Sequence, residues 1–452
     1  MTVNHEHIEK QVLKKIIPTK KERKELFKTI TVLITTINRE LKKRKIPATV
    51  ELVGSTAKDT FLKNNLDIDA FIVFPRSTPR EHLEKQGLLI GKKILNKQEE
   101  CYAEHPYVRG YFRGFKTEIV PCYQIETATQ KLSAVDRTPL HTKYIQQHLK
   151  EHQKNQVRLL KQFLKGIGCY GAEAEIEGFS GYLCELLILN YGTFYNLIQH
   201  AQHWDYGEYL TLTTDKTASF DTPLIFIDPI DPTRNVASAV SIEKFNLYKK
   251  ACIEYLKQPK TTFFFPKPIK PWSKQQIYNT IKNKNYLVLQ LEKPKIIPEN
   301  LYPQIRKALR SITELCERYN FHILDSTFFI DTKSIYLILQ PHQEILSKTV
   351  IHEGPPLQLT HHVNDFRKKW QDNPNTIKKP YIQNNKLYVE IKREYITIKQ
   401  LIHEQLKKQS LGKHIDEIIQ KNKFKILNKN SIIKKSLVLQ WTRYLSKKNP
   451  WE

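Results

Sequence analysis

The chain is short of cysteine, of acid and of long apolar runs, and each shortage excludes something. Its six cysteines, Cys101, Cys122, Cys169, Cys184, Cys252 and Cys316, are scattered along 452 residues and never form a CxxC pair. That spacing argues against a zinc site and a disulfide scaffold, and for a reducing, cytoplasmic setting. No apolar stretch approaches the roughly 20 residues that a membrane-spanning helix requires. The first residues, MTVNHEHIEKQVLKKIIP, lack the continuous apolar segment of a secretory signal. Ile8, Val12, Leu13 and Ile16 instead mark one face of a helix. Internal repeats and low-complexity tracts are missing as well.

The shortage of acid matters most. Lys and Arg number 73 against 46 Asp and Glu, a formal net charge of +27. An excess of that size repels itself unless a polyanion is near, so nucleic acid is the first candidate partner and an anionic membrane surface the second. A solvated lysine-rich surface, in a chain biased toward Lys, Asn and Ile, is the bland alternative. The length predicts two to four domains.

Residues 22–45 carry Leu26, Ile30, Ile34, Ile37 and Leu41 on one helical stripe. ATVELVGS and DIDAFIVFP then read as strands, EHLEKQGLLIGKKIL as a helix, and YVRGYFRGFKTEIVPCY as two strands around Arg113-Gly114. From HTKYIQQHLKEHQKNQVRLLKQFLKGIG the period turns helical and stays mainly so to about residue 260. After a Pro/Lys-rich connector, NYLVLQLEKP, the helix around LYPQIRKALRSITELCERYN and SIYLILQP form a β-α-β pattern. Basic amphipathic helices are expected over 402–424 and 432–447.

One stretch carries chemistry: ELVGSTAKDTFLKNNLDIDAFIVF. Asp67 and Asp69 stand two apart at the head of a strand, so both project from one face. Two adjacent carboxylates repel each other unless a divalent cation lies between them, and Mg²⁺, bound by carboxylates and substrate phosphates, suits the pair. Gly54 lets backbone approach closely, while the Ser55 hydroxyl and the following N–H groups face an anion. A third carboxylate, Glu118 in FKTEIVPCY, completes a two-metal set for phosphoryl transfer. A DxD by itself decorates many surface turns, and Glu118 alone reads as a solvent-facing hairpin residue. Their order along the chain is the stronger signal.

That order resembles the nucleotidyltransferase superfamily of the DNA polymerase β type. VGSTAKDTFLKNNLDIDAFIVFP, YAEHPYVRG, VPCY, SAVDRTPLHTKY, RLLKQFLKGIGCYGAE, GFSGYLCELLILNYGTF and DPIDPTRNVASAVS together resemble the archaeal-type, class I CCA-adding enzymes, from about residue 8 to 262. FFFPKPI, NLYPQIRKALR and GKHIDEII continue the likeness more weakly. The resemblance implies an α+β multidomain protein. A polymerase β-like head with a mixed sheet spans 1–140, a mainly helical neck 141–262, and an α/β (RRM-like) tRNA-binding body with a helical tail 263–452. It implies template-independent addition of CCA to tRNA from CTP and ATP, with two Mg²⁺ ions held by Asp67, Asp69 and Glu118.

Glu118 departs from the family, which usually has aspartate there. By the same resemblance Gly54, Ser55, Thr56, Lys58, Thr138, His141, Lys161, Tyr170 and Gly171 bind the nucleotide. Arg234 reads the base edge, where C and A both present a ring-nitrogen acceptor to its N–H fork. His105 is placed near the RNA 3′ end. Lys161 is expected on a basic helix face and Tyr170 just after helix-ending glycines. Simpler structural roles exist for Tyr170, as a core phenol, and for His141 and His105. The body is expected on the acceptor stem and TΨC arm of tRNA. Relatives often form homodimers, although no stretch here signals one. A poly(A) polymerase or a catalytically impaired tRNA-binding relative are the competing readings.

Overall fold

The computed structural model describes residues 5–63, 65–102, 104–213, 219–427 and 431–452. It divides into two compact units, Met1–Lys267 with Asn449–Glu452, and Pro268–Lys448. Among the described residues no helix is long and apolar enough to cross a membrane.

In the first unit, helices α1 (His5–Ile16) and α2 (Lys20–Lys43) precede β1 (Thr49–Val53), α3 (Gly54–Lys58) and β2 (Ile68–Phe74). Then come α4 (Arg80–Ile94), β3 (Asn96–Tyr102), β4 (Pro106–Phe112) and β5 (Phe115–Tyr123). A capping box starts α2: Glu22 N–H donates to Thr19 Oγ1 and Thr19 N–H to the Glu22 carboxylate. The five strands lie in the order β1-β2-β5-β4-β3. Only β2 and β5 run parallel, and the register sets Asp69 beside Glu118.

Alternation sorts the two faces. Ile68, Ala70, Ile72 and Phe74 pack with Leu26, Leu33 and Ile37 of α2 and Leu83 and Ile90 of α4. The opposite face carries Asp69 and Glu118 beside a small apolar patch of Val53, Phe71, Val73, Val120 and Cys122. Strand β3 was not legible in the sequence, because NKQEECY is a polar, exposed edge with no alternation to betray it.

The helical portion follows as α5 (Arg137–His148), α6 (Glu151–Gly166), α7 (Gly181–Tyr191) and α8 (Phe194–Ala201). Two short parallel strands, β6 (Glu208–Leu210) and β7 (Leu224–Phe226), and then α9 (Ile242–Lys257) complete it. The continuous helical pattern after residue 141 breaks at Leu149 and Lys150, whose extended backbone ends α5 and caps α6. Phe163, Phe194, Tyr248, Tyr255 and Phe264 fill the core between these helices.

The second unit holds α10 (Lys274–Ile281), β8 (Leu287–Glu292), α11 (Pro298–Arg318), β9 (Ile323–Ile330) and β10 (Ser334–Pro341). An inserted antiparallel sheet follows, made by β11 (Thr349–Pro356), α12 (Thr360–Gln371), β12 (Thr376–Gln383) and β13 (Lys386–Lys392). The chain then runs through α13 (Ile398–Gln405), α14 (Lys413–Gln420), β14 (Phe424–Leu427) and α15 (Val438–Ser446). The order β14-β8-β10-β9, antiparallel throughout, is the split β-α-β arrangement of an RRM-like sheet. One face packs on α11, α13 and α14. The other, through Val288, Phe329, Tyr336 and Ile338, is covered by Ile277 and Ile281 of α10 and Trp441 of α15. The face on which such sheets stack bases is therefore buried here. The helix expected over 402–424 is two helices divided by a turn at Gly412, φ +100°, followed by β14.

Helix α4 lies close on the sheet through glycine. A Cβ on Gly91 would stand 2.6 Å from Val108 Cβ, which a strand holds in place. Gly91→Ala is expected to lose about 1 to 3 kcal/mol of stability by overpacking, read as a lower urea midpoint.

Candidate active site

The site face of the first sheet opens into a cleft of about 280 Å³, lined by Gly54, Asp69, Tyr107, Glu118, Val135 and Thr138 among others. Strand β1 ends at Val53, the antiparallel neighbour of Asp69, so the turn into α3 crosses directly over that carboxylate. Gly54 takes φ +71°, and a Cβ there would overlap the Asp69 carboxylate. Glycine is required twice over. Thr56 is 1% exposed and turns inward, its hydroxyl donating to the Asp67 carbonyl at 2.5 Å, so it fixes the backbone that leads into the acidic pair.

The three carboxylates are neighbours with different partners. Glu118 Oε1 accepts from Arg109 Nε at 2.7 Å, and Asp67 Oδ2 accepts from the Asn65 amide at 3.2 Å. Asp69 is raised to about 7, by burial first and then by the charges of Glu118 and Asp67. Among the described residues, no three His, Cys, Asp or Glu side chains are already gathered tightly enough to hold a metal ion. Arg109 holds the Glu118 carboxylate on one side. The donor set still fits a hard divalent ion: every donor is a carboxylate oxygen, and the central one is held against its own ionisation.

Two further clusters adjoin the cleft. Lys58 Nζ and Lys161 Nζ both bond the fully buried Glu185, at 2.5 and 3.3 Å, and Thr60 donates its hydroxyl to the same carboxylate at 2.6 Å. Lys161 also donates to Thr60 Oγ1 at 3.0 Å. It is 2% exposed rather than on an open basic face, and burial lowers its pKa. Tyr170 is half-buried against the helical core, with Lys165 Nζ 5.2 Å from its ring centre. Gly171, at φ +127°, turns the chain tightly there.

The second cluster surrounds Asp228, which accepts from His141 Nε2 at 2.9 Å, Arg234 Nη1 at 2.8 Å and Tyr182 OH at 3.1 Å. His141 stacks on Tyr182, and Lys58 lies 5.8 Å from the same ring, so Tyr182 joins the two clusters.

Eleven of the residues expected at the site are thereby placed around one cleft and its flanks: Gly54, Thr56, Lys58, Asp67, Asp69, Glu118, Thr138, His141, Lys161, Tyr170 and Arg234. Ser55 and Gly171 lie beside them in the chain. His105 is not among them. It precedes β4, bonds Glu84 of α4 at 3.2 Å and packs edge-on to Tyr123, at the other end of the strand from Glu118.

Comparison with known proteins decides the family. Three family models match: "Nucleotidyltransferase domain" over residues 34–141, "tRNA nucleotidyltransferase, second domain" over 155–265, and "CCA-adding enzyme, C-terminal domain" over 282–429. A CCA-adding enzyme of Methanosarcina barkeri is 35% identical over 420 residues, 92% of each chain. One of Thermoplasma volcanium is 39% identical over 424 residues, again 92% of each. One of Methanocaldococcus jannaschii is 35% identical, covering 91% of this chain and 94% of its own. The chain belongs to the CCA-adding enzyme family. Solved structures align loosely: a Cid1 poly(U) polymerase gives a TM-score of 0.46 at 15% identity, covering 57% of this chain and 98% of that one.

Within this CCA-adding family member, sequence reading missed Arg109, Glu185, Tyr182 and Asp228. One signal was available: Glu185 is the sole charge in GYLCELLILNY, and a lone carboxylate in an apolar helix must have a buried partner. Arg109 could have been found as well, since a hairpin turning at Arg113-Gly114 sets it opposite Glu118; Asp228 left no local trace.

The raised Asp69 carboxyl gives a pH test. Folded, it holds its proton up to about pH 7, whereas unfolded it releases it near its usual value of 3.8. The stabilisation is full below the unfolded value and is lost as pH rises through 7. Urea midpoints measured in chelator between pH 4 and 8 should therefore fall for the wild type relative to Asp69→Asn. Equal pH profiles would show that Asp69 is not held against ionisation.

Proposed function

We propose that this chain builds and repairs the 3′-terminal CCA of tRNA, taking C, C and A from CTP and ATP without a nucleic-acid template and releasing pyrophosphate. The single observation that carries the reading is Asp69, seated beside Glu118 on parallel strands under Gly54, where burial, Glu118 and Asp67 oppose its charge more than Lys58 and Lys116 offset them. Asp67, Asp69 and Glu118 would hold two Mg²⁺ ions, which when bound supply charge neutralisation at the attacking 3′-hydroxyl and the leaving pyrophosphate. Gly54 and Ser55 leave room for phosphate against the strand end. Lys58 and Lys161, two cations on one carboxylate, offer a net positive charge to the β and γ phosphates. Thr138 faces the cleft, with His141 one turn further along α5. Arg234 presents its donors to the base.

The basic second unit is assigned to the acceptor stem and TΨC arm of tRNA. A surface that meets A-form shape and phosphates serves every tRNA alike. The buried face of its RRM-like sheet supports contact through other surfaces, among them the Lys-rich α12 and the inserted sheet.

The deciding experiment is incorporation of labelled CTP and ATP into tRNA lacking its terminus. Strict C, C, A addition is expected; runs of A would mark a poly(A) polymerase instead. Asp67→Ala and Asp69→Ala should lower both CMP and AMP addition by about a thousandfold or more, with tRNA binding kept. Glu118→Gln should match them, and Glu118→Asp should keep substantial activity. Near-normal turnover of Glu118→Gln would remove Glu118 from the ligand set.

Salt tests the RNA surface. With about 6 to 10 phosphate contacts, tRNA affinity should fall about 10³- to 10⁵-fold between about 50 and 200 mM salt. A Kd for tRNA that ignores salt would return the charge excess to a solvated surface.

A further inference from the structure

The loop from Asp228 to Arg234 is built to hold one guanidinium still. Asp228 N–H donates to the Arg234 carbonyl at 3.0 Å, closing the loop, and Arg234 N–H donates to the Asp231 carbonyl at 2.9 Å. Pro229 and Pro232 fix two of the intervening φ angles. Asp231 then pins the loop from outside, since its carboxylate accepts from Lys131 at 2.6 Å, Arg137 at 2.7 Å and Thr233 at 2.6 Å.

The Asp228 carboxylate divides its lone pairs between two tasks. Oδ1 accepts from Ile230 N–H at 3.0 Å and Tyr182 OH at 3.1 Å, which anchors the carboxylate itself. Oδ2 accepts from His141 Nε2 and Arg234 Nη1. The Asp228 side chain is wholly buried, whereas that of Arg234 is 33% exposed. Among the described residues, the bond to Asp228 is the only side-chain hydrogen bond Arg234 makes. Its other N–H donors thus belong to a rigid fork, one-third exposed, whose near edge is fixed.

We propose that Asp228 is a positioning residue for base selection: by gripping one edge of Arg234 it aims the remaining donors at the Watson–Crick edge of the incoming nucleotide. This rests on the reading of Arg234 as the base-contacting residue. C and A present a ring-nitrogen acceptor to that fork, whereas U and G present an N–H. The distinction is only as sharp as the fork is still. A long arginine without its buried anchor samples several rotamers, and some of these meet a carbonyl oxygen of U or G equally well. Because Oδ2 also holds His141, the same carboxylate couples the base-reading arginine to the residue beside the nucleotide.

The test compares kcat/KM for CTP, ATP, UTP and GTP on tRNA ending before the first C and before the A. Asp228→Asn has the same shape, but only one of its ends accepts, while four donors converge on the carboxylate. It should reduce discrimination against UTP and GTP by about tenfold, the scale of a base-edge contact. Tyr182→Phe, which removes one of the two donors that anchor Oδ1 and keeps the ring on His141, should relax discrimination in the same direction but by less than Asp228→Asn. Asp228→Asn in an Arg234→Ala background should add no further loss, because the effect runs through the arginine.

Three results would overturn the inference. If Arg234→Ala relaxes discrimination and Asp228→Asn does not, Arg234 reads bases without this anchor. If the two losses add, Asp228 acts elsewhere. If Arg234→Ala lowers all four nucleotides equally, the base-contact reading fails and the inference with it. Should Asp228→Asn fail to fold, Asp228→Glu, which keeps the charge but shifts it, must show the same relaxed discrimination.

Discussion

Everything at the site follows from one uncomfortable carboxylate. Asp69 heads a strand whose other residues are buried and apolar, and its charge is opposed by burial, by Glu118 and by Asp67. Groups opposed in this way cluster at functional sites. The surroundings are arranged around it: Gly54 because no side chain fits above it, the Thr56 hydroxyl to hold the backbone of Asp67, and Arg109 to occupy Glu118. Arg109, on the neighbouring strand, holds the Glu118 carboxylate at 2.7 Å.

The charges elsewhere around the cleft have the opposite sense. Asp59 binds Arg23 and Arg158, Glu185 binds Lys58 and Lys161, and Asp231 binds Lys131 and Arg137. Each carboxylate serves at least two cations, with Lys154 a third at Asp59, so each cluster keeps a net positive charge while its buried members stay paired. Removing such a carboxylate would strand two cations, which costs about 3 to 5 kcal/mol when the pair is buried. An acidic pole thus sits beside basic flanks, within one unit. The excess positive charge of the chain as a whole extends that potential toward RNA.

The same economy explains the helical portion. A core of Phe163, Phe194, Tyr248, Tyr255 and Phe264 makes a stiff support, and beside it Lys161 of α6 meets Glu185 of α7, which also holds Lys58 of α3. Stiffness matters because a cleft that must accept C twice and then A has little to select with besides the placement of a few donors.

The sequence alone determined what acts within a turn or two of chain. The capping box opening α2, the alternation of β2 and the seating of Asp69 on the face opposite α2 and α4 are local matters of hydrogen bonding and periodicity. The blocks that resemble the CCA-adding enzymes are short and local too, and they carry the family resemblance. Strand β3 escaped because an exposed polar edge has no period. The continuous helical pattern after residue 141 hid its break because Leu149 is apolar like its neighbours. Tertiary structure alone decided which charges meet. Glu185 with two lysines, and Asp228 with His141 and Tyr182, join segments whose separation along the chain says nothing about distance. Strand register and helix packing set those distances. A buried charge finds its partner only after the core has closed around both.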